Sequence, residues 1–258
     1  MDVQSLFSIE GRVALVTGGS SGIGRHIATG FAAAGARTYI CARSADKIAR
    51  AADEIGASTG GTVIGLTADL STLVGIEALA AEIGGREPAL HILVNNAGTL
   101  TDAPLDSFSE ENWDQVIDLN LKSPFFLMQK LLPLLRAGGV DTHPASVIDI
   151  GSVGALKIGP REVYAYQASK AAIHWLVKSL AKRLGPENVT VNAIAPGFFE
   201  SEMTVIHSDE MRQMVIGMVP RRRVGAPEDV AAAAIYLASR AGAYVTGSVI
   251  PVEGGLSI

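Results

Sequence analysis

Short runs of aliphatic residues alternate with longer alanine-rich stretches along the whole chain. The runs are almost continuously apolar, which is typical of strands that are buried on both faces of a sheet. We expect seven such strands, at Val13–Thr17, Arg37–Ala42, Thr62–Thr67, His91–Asn95, Ser146–Ile150, Val189–Ile194 and Ser248–Val252. Apolar residues at helical spacing predict helices at Ile23–Ala34, Ala45–Ile55, Thr72–Ile83, Glu110–Leu135, Val163–Leu184 and Pro227–Leu237.

This alternation predicts an α/β fold, a doubly wound parallel sheet of seven strands with helices on both faces. The seven strands use nearly all of the 258 residues, so we expect one domain over residues 1–258. Two segments interrupt the alternation, a polar loop at 136–145 and a segment rich in Met and Phe at 196–227, which we interpret as a substrate lid. Ser107 and Glu110 have the spacing of a capping box, and Pro227 suits the first turn of a helix.

The composition argues against several classes of protein. Hydrophobic residues make up 48% of the chain, yet no apolar run reaches the roughly 18 residues of a membrane-spanning helix. The net charge of −5 gives no electrostatic basis for general binding to nucleic acid. A single cysteine, Cys41, excludes an internal disulfide framework and is compatible with a reducing compartment. We therefore expect a cytoplasmic protein that binds neither membranes nor nucleic acid.

A glycine-rich turn, TGGSSGIG, follows the first predicted strand and precedes a helix. Glycines let the backbone approach a pyrophosphate closely, and the amides and dipole at the start of the helix favour its negative charge. We therefore expect a Rossmann domain that binds a dinucleotide at this turn. The expected contacts are Gly18, Ser20, Ser21, Gly22, Ile23 and Gly24.

Two other interpretations of this turn are weaker. The letters GGSSG also fit the G-x-S-x-G pattern of a hydrolase, which would make Ser20 a nucleophile. That site needs a histidine late in the chain, and the only late one, His207, follows no clear strand end. A P-loop would need Lys and then Ser or Thr after Gly24, where this chain has Arg25 and His26.

The end of the second strand indicates which dinucleotide is bound. In domains of this kind an acidic residue at that position commonly holds the ribose hydroxyls of NAD. This chain has Ala42, Arg43 and Ser44 there, and Arg43 offers a cation for the 2′-phosphate of NADP. We therefore expect NADP(H) rather than NAD.

Two tyrosines precede a lysine in the stretch VYAYQASKAA. Residues four apart lie on one face of a helix, so Lys170 faces Tyr166, whereas Tyr164 faces Ala168. A phenol has an ordinary pKa of about 10, and a nearby ammonium favours the phenolate. Such a tyrosine can protonate a developing alkoxide, or accept the proton in the reverse reaction.

Eight short motifs occur in an order and at a spacing that resemble the short-chain dehydrogenase/reductase family along the whole chain. They are TGGSSGIG (17–24), ADL (68–70), NNAG (95–98), DLNL (118–121), IGS (150–152), YQASK (166–170), NAIAPGF (192–198) and TGSVIPVEGG (246–255). Within the family, the chain is most similar to the 3-oxoacyl-[acyl carrier protein] reductases and their rhamnolipid-associated relatives. The resemblance implies an NADP(H)-dependent enzyme that interconverts a ketone and a secondary alcohol.

The resemblance also implies four catalytic residues. Tyr166 would be the general acid, and Lys170 would lower its pKa and hold the nicotinamide ribose. Ser152 would donate a hydrogen bond to the substrate carbonyl. Asn120 would position a water molecule that links Lys170 to solvent. Catalysis would then rest on the proximity of the hydride and on this proton supply, without a metal.

Further cofactor contacts follow from the same resemblance. They are Arg43, Ser44, Asp69, Leu70, Asn96, Ala97, Gly98, Tyr166, Lys170, Pro196, Gly197, Phe199 and Ser201. Asp69 would contact the adenine, and Ser201 stands where a threonine is more usual near the carboxamide. Family members that prefer NADP often carry a basic residue just before the second glycine of the turn. Here that residue is Ser21, so Arg43 has fewer neighbouring cations with which to bind the 2′-phosphate.

The substrate stays open within this activity. Phe198, Phe199 and the methionines of segment 196–227 suit an apolar, acyl-like ketone, and a sugar, steroid or aryl alcohol is the alternative. We expect the basic run Arg221–Arg223 to be a solvated loop, with recognition of an anionic acyl carrier as the alternative. A serine hydrolase acting through Ser20 and a non-catalytic dinucleotide sensor are the alternatives from other classes.

Two expectations concern partners and metals. The predicted helices 110–135 and 163–184 resemble those that form four-helix interfaces in tetramers of the family, so we expect a homotetramer. The five histidines share no spacing of metal ligands, so we expect no metal site.

Overall fold

The computed structural model describes residues 2–200 and 209–258. Seven strands lie side by side in one sheet: β1 (Val13–Thr17), β2 (Arg37–Ala42), β3 (Val63–Thr67), β4 (Ile92–Asn95), β5 (Ala145–Ile150), β6 (Val189–Pro196) and β7 (Val249–Val252). Their order is β3-β2-β1-β4-β5-β6-β7, and every neighbouring pair is parallel. The predicted doubly wound α/β fold is confirmed.

Helices cover both faces of this sheet. Those of the described residues are α1 (Val3–Phe7), α2 (Gly22–Ala33), α3 (Ala45–Thr59), α4 (Leu73–Arg86), α5 (Glu110–Ile117), α6 (Ser123–Gly138), α7 (Tyr164–Leu184), α8 (Asp209–Met218) and α9 (Pro227–Ala238). Buried side chains of α4, α6 and α7 pack on one face, and those of α2, α3 and α9 pack on the other. Within the described ranges, none of these helices is long and apolar enough to cross a bilayer.

The strand order reverses between β1 and β4, which are neighbours in the centre of the sheet. Val16 of β1 pairs with Ile40 of β2 on one side and with Val94 of β4 on the other. Chains leaving the carboxyl ends of these strands diverge to opposite faces, so a crevice opens between them. The loops that follow β1, β4, β5 and β6 therefore meet at one edge of the sheet.

Alternate residues of strand β5, which lies beside the central strand β4, belong to different faces. Val147 packs in the cluster beneath α6 and α7, whereas Ile148 and Ile150 pack in the cluster beneath α2 and α9. Because side chains alternate along a strand, Asp149 shares the face of Val147. That apolar face therefore ends in a carboxyl group at the edge where the loops meet.

The predicted helix Glu110–Leu135 is interrupted. A π-helical turn, Asp118–Lys122, separates α5 from α6. Such turns occur frequently at functional sites, because they change which side chains a helix directs inward. Here the turn includes Asn120, whose side chain is almost completely buried.

The start of α5 also differs from the prediction. The hydroxyl group of Ser109 accepts the hydrogen bond from the backbone N–H of Asn112, at 3.1 Å. Ser107 instead donates a bond of 3.4 Å to the carbonyl of Pro104, within a short 3-10 turn. The capping-box prediction was therefore wrong by two residues, because that turn precedes the helix.

Candidate active site

A cleft of about 710 Å³ lies at the carboxyl edge of the sheet, where the strand order reverses. The predicted residues that line it are Gly18, Ser20, Ser21, Gly22, Ile23, Arg43, Ser44, Asp69, Leu70, Asn96, Ala97, Gly98, Ser152, Tyr166, Lys170, Pro196, Gly197 and Phe199. Gly24 and Asn120 were predicted to belong to this site, but they lie behind its wall. Ser201 lies outside the described residues.

The glycine turn forms one wall of the cleft. Gly18 and Gly22 have φ angles of +65° and +52°, a region that residues with a side chain rarely adopt. A Cβ atom on Gly18 would also lie only 2.8 Å from Nδ2 of Asn96. The first residues of α2 line the cleft directly after this turn, and the N-terminus of a helix is suited to bind phosphate.

Gly24 serves the packing of this wall rather than the cleft. It is buried, and a Cβ atom there would clash with the side-chain amide of Asn96. That amide donates to the carbonyl oxygens of Thr17, at 2.8 Å, and Gly18, at 3.2 Å. The absence of a side chain at Gly24 thus lets Asn96 hold the end of β1 against the turn.

The far end of the cleft carries two cations. Arg43 lines it as predicted, and Lys47, which was not predicted, lines it from the first turn of α3. The signal for Lys47 was present, because a helix capped by Ser44 places its third residue beside the end of β2. These residues fit a dinucleotide that carries an additional phosphate on its adenosine ribose.

An acid stands beside these cations. Asp69 accepts hydrogen bonds from Oγ and the backbone N–H of Ser71, at 2.8 and 3.0 Å. These bonds, and to a smaller extent the charge of Arg43, hold the pKa of Asp69 below its ordinary value. Asp69 is therefore an ionised acceptor at neutral pH.

Tyr166 and Lys170 lie one turn apart on α7 and both line the cleft, as the spacing predicted. Nζ of Lys170 lies 5.7 Å from the centre of the Tyr166 ring. The same atom donates a hydrogen bond of 2.7 Å to the carbonyl of Ile150, at the end of β5. Lys170 is only 5% exposed, so its ammonium group is held in place inside the protein.

The pKa of Tyr166 differs from the expectation. Burial raises it above the ordinary value of a phenol, whereas a hydrogen bond with Ser152 and the charge of Arg161 lower it to a smaller extent. Lys170 makes no resolved contribution, and its own ammonium is bonded to the backbone of β5. Desolvation of the phenol therefore outweighs the nearby charges, and the direction of this pKa shift is opposite to the expected one.

Ser152 follows β5 and faces Tyr166. Its hydroxyl oxygen accepts a hydrogen bond of 2.9 Å from the N–H of Gly154, which fixes the rotamer. The N–H of Ser152 itself donates to Nε2 of His174, at 3.4 Å. His174 lies one turn beyond Lys170 on α7, and Gly151 leaves the room for its ring. This histidine was not predicted to belong to the site, although its spacing of four from Lys170 was a usable signal.

Asn120 supports the cleft from behind. Its side chain accepts a bond of 2.8 Å from the N–H of Thr99 and donates one of 2.9 Å to the carbonyl of the same residue. It also donates to Oγ of Ser169 at 3.3 Å. The side chain therefore links the loop after β4 to α7 next to Lys170. The predicted water relay through Asn120 stays a prediction.

Comparison with known proteins agrees with this geometry. Residues 18–257 match the family model described as enoyl-(acyl carrier protein) reductase. The chain is 46% identical over 254 residues to the rhamnolipids biosynthesis 3-oxoacyl-[acyl-carrier-protein] reductase of Pseudomonas aeruginosa, covering 98% of each protein. The chain belongs to the short-chain dehydrogenase/reductase family.

Two further similarities extend over nearly the whole chain. The 3-oxoacyl-[acyl-carrier-protein] reductase FabG of Escherichia coli is 38% identical over 250 residues, which are 96% of this chain and 98% of that protein. The solved Pseudomonas aeruginosa RhlG/NADP active-site complex superposes with a TM-score of 0.94 at 45% identity. That match covers 98% of this chain and 99% of the other.

The basic run of this family member is largely engaged in its own loop. Arg223 forms an ion pair with Asp229 at the start of α9. Arg222 has a φ angle of +53° and donates a hydrogen bond of 2.7 Å to the carbonyl of Gly217. Arg221 lines a smaller cavity of about 380 Å³ beside the cleft. Two of the three cations are thus held by neighbouring groups. This favours the interpretation of the run as a surface loop over recognition of an anionic acyl carrier.

The hydrolase interpretation gains no support. Ser20 does line the cleft, but no histidine among the described residues does so. A serine nucleophile needs a base within hydrogen-bond reach. His207, the candidate base, lies outside the described residues.

Proposed function

We propose that the protein is an NADP(H)-dependent reductase that converts an apolar ketone of the 3-oxoacyl class into a secondary alcohol, with Tyr166 as general acid. One observation carries this proposal. Tyr166, Ser152 and Lys170 line one end of a cleft whose other end carries Arg43 and Lys47. The identities of the relatives support the same activity and cofactor.

The two ends of the cleft would bind different groups, the phosphates of the cofactor at one end and the substrate carbonyl at the other. Arg43 and Lys47 would bind the 2′-phosphate, and the amides at the start of α2 would bind the pyrophosphate. When bound, the reduced cofactor supplies the hydride for the carbonyl carbon. Ser152 and Tyr166 would direct their hydroxyl groups at the carbonyl oxygen and so fix its orientation.

Tyr166 would transfer its proton to the carbonyl oxygen as negative charge develops there. Its raised pKa keeps the phenol protonated before the reaction, which is the form that a general acid requires. The hydrogen bond with Ser152 and the charge of Lys170 would stabilise the phenolate that remains. The backbone bond to Ile150 holds that ammonium beside the ring.

The proposal extends to the segment 196–227. Phe199 is buried against the loop at Gly225, and the exposed Met214 and Met218 lie on α8. Flexible thioether side chains adapt to apolar ligands, which supports a substrate lid in this segment. The homotetramer and the cytoplasmic location predicted from the sequence stay predictions.

A substrate screen tests the activity. The purified protein would be mixed with 3-oxoacyl thioesters, sugar, steroid and aryl ketones, and an enoyl thioester, each with NADPH or NADH. We expect loss of NADPH absorbance with the 3-oxoacyl thioesters above all other classes. Turnover of the enoyl thioester alone would replace ketone reduction by reduction of a carbon–carbon double bond. The absence of turnover with tight NADPH binding would favour the dinucleotide sensor.

A pair of tyrosine variants tests the general acid. We expect Tyr166→Phe to lower kcat about 10²- to 10⁴-fold, because the proton donor is removed, and to leave the Kd of NADPH nearly unchanged. Tyr164→Phe is the matched control, since this hydroxyl bonds Glu162 at 2.7 Å, and it should retain activity. Equal turnover of the two variants would refute the assignment.

A further inference from the structure

One face of the sheet changes from apolar to polar at its carboxyl edge. Leu93 of β4 and Val147 of β5 belong to the core beneath α6 and α7. Two residues further along each strand stand Asn95 and Asp149, which are paired in register. Nδ2 of Asn95 donates a hydrogen bond of 2.7 Å to Oδ1 of Asp149. Asp149 is only 3% exposed, so a carboxyl group is enclosed at this end of the core.

Lys170 approaches the same place from α7. Its Nζ bonds the carbonyl of Ile150, the residue that follows Asp149 in β5. The charges of Asp149 and Lys170 each favour the ionised form of the other, and among the described residues Asp149 is the one acid with a resolved effect on Lys170. Within the described part of the chain the two side chains form no direct ion pair, so the attraction acts across the intervening space.

We propose that Asp149 is a positioning residue, the internal counter-ion that keeps the Lys170 ammonium protonated while the cleft beside it is filled. The consequence for catalysis rests on the proposed function, in which the charge on Lys170 stabilises the Tyr166 phenolate. The placement of the two buried groups, by contrast, follows from the geometry of β4, β5 and α7 and does not depend on that function.

The causes that shift the pKa values of Asp149 and Lys170 support this pairing. Burial raises the pKa of Asp149 to about 6, although its bond with Asn95 and the charge of Lys170 oppose the rise. Burial lowers the pKa of Lys170 to about 8, and Asp149 opposes that fall. A buried ammonium without a counter-ion is expected to lose its proton at a still lower pH. Asp149 therefore extends the range in which Lys170 is charged.

The neighbouring titratable groups leave the pair isolated at neutral pH. Tyr166 and His174 face it from α7. Burial lowers the pKa of His174 and raises that of Tyr166, so both are neutral near pH 7. From β4 and the π-helical turn, the amides of Asn95 and Asn120 contribute dipoles but no charge.

The substitution Asp149→Asn removes the negative charge of the carboxylate and keeps the shape of the side chain. The amide oxygen can still accept the hydrogen bond from Asn95. Its new N–H group can serve Oδ1 of Asn95, a buried acceptor that receives no bond from any described residue. The variant is therefore expected to fold. Glu82→Gln, an exposed site on α4, is the control for the loss of one negative charge.

The decisive measurement is the titration of the Lys170 side chain by NMR in the ligand-free protein, with Lys170→Met to assign the signal. In Asp149→Asn we expect the pKa of Lys170 to fall by about one unit, the size typical of a lost opposite charge. Glu82→Gln should leave it in place. An unmoved pKa in Asp149→Asn would overturn the proposal, whether or not the enzyme reduces any ketone.

Kinetics give a second readout. The value of kcat/KM should decline at high pH as Lys170 loses its proton. In Asp149→Asn this decline should begin about one pH unit lower than in the wild type. A purely structural role would lower the rate equally at all pH values, and that result would contradict the proposal. If Asp149→Asn fails to fold, Lys170→Met allows the reciprocal test by carboxyl NMR. The pKa of Asp149 should then rise above its wild-type value, and an unchanged value would equally overturn the pairing.

Discussion

At the residue scale, the candidate site consists of groups whose surroundings, rather than their identities, decide their chemistry. Tyr164 and Tyr166 are two residues apart, yet one bonds a carboxylate at the surface and the other lines the cleft beside Ser152. One N–H group of the Lys170 ammonium is anchored to a strand carbonyl. Sequence spacing identified Tyr166 and Lys170, because a helix of known hand fixes which residues share a face.

The two cations at the far end of the cleft lead to a prediction about the cofactor. We expect Arg43→Ala with Lys47→Ala to lower kcat/KM for NADPH by about tenfold or more, because charge-assisted bonds to a phosphate are lost. The value for NADH should change little. Comparing the ratio of the two efficiencies with that of Arg50→Ala, an exposed residue on the same helix, provides the test. A ratio that stays at the wild-type level would mean that other groups bind the 2′-phosphate.

At the element scale, the periodicity of apolar residues predicted the seven strands to within two residues at each end. Pro227 begins α9 as expected, because its fixed φ and missing N–H suit the first turn. The π-helical turn at Asp118–Lys122 escaped prediction, since it leaves the helical spacing of apolar residues almost unchanged. Asp149 was missed for a different reason. Its role depends on contacts between β4, β5 and α7, which are distant in the sequence and which no local pattern encodes.

The start of α5 gives a test of the corrected cap. Ser109 satisfies one of the free N–H groups of the first turn, so Ser109→Ala should lower the free energy of unfolding by about 1 kcal/mol. Ser107→Ala removes only an exposed, long bond, and we expect a loss below about 0.5 kcal/mol. Urea denaturation at one fixed protein concentration measures both variants. A larger loss at Ser107 would restore the capping box that the sequence suggested.

At the scale of the whole molecule, the parallel sheet places the loops that follow β1 to β6 at one edge, and the cleft results from the reversal of strand order there. The fold class followed from the sequence because every local signal agreed with it.

The surfaces of α5 and α7 each expose a tryptophan. Trp113 on α5 is 43% exposed and Trp175 on α7 is 70% exposed, which is unusual for so large an apolar side chain.

These exposed tryptophans motivate the test of the predicted homotetramer. If α5 and α7 form the interface between subunits, Trp175→Glu would bury a carboxylate without a partner there and should dissociate the tetramer. Val74→Glu, at a 77% exposed position on α4, adds the same charge away from these helices and should leave the assembly intact. Analytical ultracentrifugation at several concentrations distinguishes the species. A wild-type protein that sediments as a monomer, or a Trp175→Glu variant that sediments as the wild type does, would move the interface elsewhere and leave these tryptophans without a role in assembly.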